Sequence, residues 1–79
     1  MAHTAKTTYY ISQLQPYAKK HLEALKEIGN RFPYGEREQK LARAEIRGYL
    51  TALNDAGNIG DVAFRCLYIY YTNFMDEEV

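Results

Sequence analysis

The chain has no Trp, a single Cys, two Pro and no surplus of charge of either sign over its 79 residues. Each shortage excludes something. A lone Cys66 cannot close an internal disulfide, and no leader-like apolar segment stands at the N-terminus, so a reducing compartment, the cytoplasm, is the expected location. The longest unbroken apolar run, Cys66 to Tyr71, is six residues, far below the roughly 20 that cross a bilayer, so no membrane contact is expected. Equal numbers of basic and acidic residues, ten of each, argue against a generic nucleic-acid binder, whose affinity comes from neutralising many phosphates.

Groups for catalysis and metal binding are equally scarce. His3, His21 and Cys66 are the only imidazoles and thiol, with no Cys pair and no His-x-x-x-His, so neither a metal nor a cofactor is expected. Neither a Gly-x-x-x-x-Gly-Lys loop nor a Gly-x-Gly-x-x-Gly turn occurs. A nucleophile needs a base within reach and a third group to orient it, and nothing here supplies all three. The chain is not expected to be an enzyme.

What is present is helical periodicity in one small domain spanning 1–79. Ile11, Leu14, Ala18, Leu22, Leu25 and Ile28 recur every three or four residues, the stripe of a first helix over 8 or 12 to 29. Pro16 interrupts it, so either a short turn precedes the main helix or one helix is kinked there. Gly29 reads as its stop, and Phe32 and Tyr34 as plugs for the end of the core. A second helix runs over 36 to 56 with Ala42, Ile46, Tyr49, Leu50 and Leu53 inward, and Gly57 ends it. Gly60 and Asp61 open a third helix, 61 to 75, with Ile59 placed to pack on Phe64. The expected fold is an all-α, compact three-helix bundle whose last two helices form an antiparallel hairpin. Residues 1–7 read as a flexible arm and 76–79 as a frayed acidic tail. Tyr- and β-branched-rich stretches at 7–11 and 66–72 leave an α+β alternative with strands there.

The third helix is apolar most of the way round, which a helix covered on one side does not need to be. Phe64, Leu67, Tyr71, Phe74 and Met75 form its main face; Val62, Cys66, Ile69 and Tyr70 form a second, the candidate for self-association into a homodimer. Eight Tyr in 79 residues is the largest departure from ordinary composition, and Tyr gives rigid contact area plus a hydroxyl at low entropic cost. Tyr9, Tyr10, Tyr17 and Tyr68 are the candidate partner-binding side chains. Arg37, Lys40, Arg43 and Arg47 form a basic stripe on the second helix suited to an acidic partner.

These features point to a small non-catalytic protein–protein interaction protein with a Tyr-rich helical surface, one version being a phage or mobile-element inhibitor of a larger host protein. The alternative is a helix-turn-helix-like DNA-binding regulator. For that role Asp61, Val62, Ala63 and Phe64 occupy the positions where base-reading side chains belong, and Arg65 is the helix's one basic residue.

Overall fold

Pro16 divides the chain. In the computed structural model, which describes residues 5–31 and 36–74, the first apolar stripe is two helices, α1 Ala5–Ser12 and α2 Pro16–Arg31, so four helices are present where three were expected. α3 (Glu36–Asp55) and α4 (Asp61–Thr72) follow. Pro lacks an N–H and sits at the first position of α2, where that N–H would have no intrahelical partner anyway. The break at 13–15 is closed locally: Gln13 N–H donates to Tyr10 O at 3.1 Å, Leu14 N–H to Ile11 O at 3.1 Å, and Lys19 N–H to Gln15 O at 2.9 Å. Helical structure starts at Ala5 and Thr7 is buried, so residues 5–7 belong to the fold and not to an arm. Residues 1–4, the plugs Phe32 and Tyr34, Met75 and the acidic tail lie outside the described residues. Among the described residues there is no strand; the stretches 7–11 and 66–72 are helical, which removes the α+β alternative.

The core is built as the periodicity dictates. Leu14, Leu22, Leu25, Ala42, Ile46, Leu50, Ala63, Leu67, Tyr71 and Phe74 form one buried cluster, with Tyr10, Ile11, Tyr49, Leu53, Ile59 and Phe64 partly buried against it. Ile28 is the exception on the first stripe, being exposed. α3 packs on α2 and α4; α4 also packs on α1 and α2. A Cα radius of gyration of 12.0 Å matches the roughly 12 Å of a compact chain of this length.

The α3–α4 hairpin forms as its sequence requires. Gly57 takes the left-handed conformation at φ 81°. Asn58 N–H donates to Leu53 O at 2.9 Å and Gly57 N–H to Asn54 O at 3.0 Å, the paired bonds of a Schellman end. Gly60, extended at φ −85° and ψ 178°, caps α4 with no side-chain bond. The Asn54 amide ties the end of α3 to the start of α4 across the turn, donating to Ile59 O at 3.0 Å and Asp61 Oδ1 at 3.2 Å.

Gly29 is a correction. It lies inside α2, buried, and a Cβ built on it would overlap the ring of Phe74. The residue is there for close approach and not as a helix stop. Gln39 Nε2 donates to Gly29 O at 3.2 Å, tying α3 to the same point. Gly29→Ala is therefore expected to destabilise the fold: overpacking costs about 1–3 kcal/mol and outweighs the roughly 1 kcal/mol of helix propensity that Ala brings. A lower urea midpoint with an unchanged slope checks it.

Candidate interaction surface

α4 sets the geometry. At about 100° per residue, its buried Ala63, Leu67 and Tyr71 centre one face, and Val62 and Ile69, seven residues apart, share a line on the other. Val62 is 52% and Ile69 59% exposed, whereas Cys66 and Tyr70 are half-buried. The second face is therefore narrower than the sequence implied. α1 packs on α4, with Tyr10 and Ile11 partly buried against the core, and Tyr70 lies under Lys26, whose Nζ is 4.8 Å from the ring centroid.

Lys26 also closes the end of α4. Its ammonium donates to Tyr70 O and Asn73 O, both at 2.9 Å, where unpaired carbonyls and the negative pole of the helix dipole meet. Thr72 Oγ1 takes a further carbonyl, that of Tyr68, at 2.6 Å. This tertiary cap was not foreseen, because Lys26 and Asn73 stand 47 residues apart and no local motif links them.

The four candidate tyrosines do not form one patch. Tyr9 is 59% and Tyr17 65% exposed, while Tyr10 and Tyr68 are half-buried. Tyr9 meets Tyr10 edge-on at 5.6 Å, and Tyr68 stacks on Phe64 at 6.3 Å. Tyr17 and Lys26 are nine residues apart on α2, about 180° on the wheel, so Tyr17 lies on the flank away from Tyr70. That flank faces α3, where His21, one turn on from Tyr17, packs on Tyr49 at 4.5 Å. Tyr49, expected in the core, is half-buried here.

Arg37, Lys40, Arg43 and Arg47 are all exposed. Arg43 is drawn over the Phe74 ring, 5.0 Å from its centroid, and Arg37 lies about 60° from Lys40 around α3, so the stripe is less regular than the spacing suggested. Leu41 was missed by the sequence reading. It is 56% exposed, away from both the buried stripe and the Lys40, Arg43 and Arg47 side of α3.

Chemical resources at the surface are few. Among the described residues no three His, Cys, Asp or Glu side chains gather to hold a metal, and no helix is long and apolar enough to cross a membrane. A recess of about 80 Å³ between Leu14, Gln15, Ala18, Leu53 and Ile59 is well below the roughly 300 Å³ at which ligand pockets begin. Among the described residues the Tyr71 hydroxyl stands out, buried with no hydrogen-bond partner. Burial pushes it well above its ordinary pKa of 10.0, and Glu23 and Tyr70 act in the same direction.

An unpaired buried hydroxyl forfeits its hydration, so Tyr71→Phe is expected to raise stability by about 1 kcal/mol in thermal or urea unfolding. The alkaline limb follows. Above pH 10 the unfolded chain releases the Tyr71 proton while the folded chain keeps it, so the stability is intact below that pH and lost as pH rises. Tyr71→Phe should make this loss shallower by about 1 kcal/mol between pH 10 and pH 11, measured by urea unfolding at the two ends of that interval.

No family model matches the chain, and neither a curated protein nor a solved structure is significantly similar to it.

Proposed function

We propose that the chain is a non-catalytic protein–protein interaction protein that engages its partner through the outer side of α4 and the adjoining α1. The observation that carries this reading is the pair Val62 and Ile69, exposed on one line of α4, together with the exposed Tyr9 on α1, the helix packed against α4. Leaving such side chains in water forgoes about 1.5–3 kcal/mol for each that a partner could fully bury, and Tyr is favoured as an interface anchor. The partner supplies an apolar groove or flat patch. Small size suits a chain that acts by covering a larger molecule, and an inhibitor from a phage or mobile element, directed at a larger host protein in the cytoplasm, is the specific form we put forward.

The rival reading is a DNA-binding regulator using α4 or the exposed Lys40 and Arg47. It requires Kd to weaken steeply as salt rises, because phosphate neutralisation releases counterions. The expected outcome is no salt-sensitive binding to random duplex DNA. In affinity capture from a lysate, wild type is expected to retain a specific protein that Ile69→Asp and Val62→Asp lose, while both variants keep the wild-type helical circular dichroism. A captured set unchanged by both substitutions overturns the assignment of the surface.

A further inference from the structure

The outer face of α3 has an order that the monomer does not use. Arg37, Leu41, Ala44, Gly48, Thr51 and Asp55 follow one another at steps of four, three, four, three and four residues, the 3.5-residue repeat by which one helix lies along another. All six are exposed. Leu41 is the one large apolar member, and Gly48 sits in a helix interior where Gly costs about 1 kcal/mol relative to Ala. A Cβ at Gly48 would meet nothing within 4 Å, so no packing among the described residues accounts for the glycine. Arg37 and Asp55 are eighteen residues apart, five whole turns, and so lie on the same line at opposite ends of the face. Among the described residues neither makes an ion pair.

We propose that this face binds a second copy of the chain, α3 against α3 in antiparallel order about a twofold axis. Charge complementarity selects that occupant. Pairing residues whose numbers sum to 92 sets Arg37 of each copy against Asp55 of the other, Leu41 against Thr51, and Ala44 against Gly48, every pair occurring twice. Reversing one chain would put Arg37 against its own equivalent. The small side chains at the centre, Ala44 and Gly48, let the backbones approach closely, and the charged ends fix the register. The α4 face expected to self-associate lacks this property: a twofold pairing of Val62 with Ile69 brings Arg65 next to its own copy. Dimerisation through α3 leaves Val62, Ile69 and Tyr9 free for another protein, and it does not depend on that protein existing.

Sedimentation equilibrium at micromolar concentration is expected to give the mass of two chains. Arg37→Asp alone and Asp55→Arg alone each convert two ion pairs into like-charge contacts and should weaken the dimer by roughly three- to thirty-fold. The double exchange, Arg37→Asp with Asp55→Arg, should restore it. Gly48→Lys should abolish association while the helical signal holds or rises, since Lys is the better helix former. A monomeric wild type, a dimer indifferent to Gly48→Lys, or a double exchange that fails to recover the affinity each overturns the proposal. Ile69→Asp should dimerise like wild type, which keeps this result separate from the loss of a partner protein.

Discussion

The contact of Phe74 with Gly29 organises the molecule. An aromatic ring at the end of α4 rests on bare backbone in α2, and the guanidinium of Arg43 from α3 lies over the ring. The same neighbourhood holds Gln39 bonded to Gly29 O and Lys26 bonded to the carbonyls of residues 70 and 73. Three helices are thereby fixed to one another at one point, by removing a side chain from α2 and extending charged ones from α2 and α3. Dispersion contacts of this kind are individually small and require close fit, which is why a single methyl group at position 29 is felt.

Most of the secondary structure was legible in the sequence, and the reason is local. The α3–α4 turn depends on residues within a few positions of each other, and Gly57, Gly60 and Asp61 each act as the chain order implied. The break at Pro16 was readable as one of two options, and the choice between them was made by α1 docking on α4, which no local pattern encodes. Gly29 misled for the same reason: its neighbour Phe74 is 45 positions away, and a glycine that ends a helix has the same letter as one that receives a ring. Ile28 followed the apolar period yet faces outward, because the stripe on α2 is narrower than its hydrophobic letters.

The surface was less legible, and the tyrosines show why. Tyr71 is wholly buried, Tyr10, Tyr49, Tyr68 and Tyr70 are half-buried, and Tyr9 and Tyr17 are exposed. A Tyr ring fills space at the rim of a thin core while its hydroxyl reaches water, so the residue type fits core edge and interface alike. Composition therefore flagged the class of residue and could not sort its members. The exposed order on α3 was hidden differently: Ala, Gly and Thr look unremarkable until their neighbours are known to be solvent.

The pairing of α1 with α4 makes the first and last described helices neighbours. An eight-residue helix is too short to persist alone in water, so α1 acquires its structure from the surface it docks on. Joining elements that far apart costs only about 1.6 kcal/mol more than closing a ten-residue loop, since closure entropy rises with the logarithm of length. The docking depends on α4, because α4 is part of the surface that α1 covers. The first and last described helices consequently depend on each other, and amide protection within α1 reports on the integrity of α4.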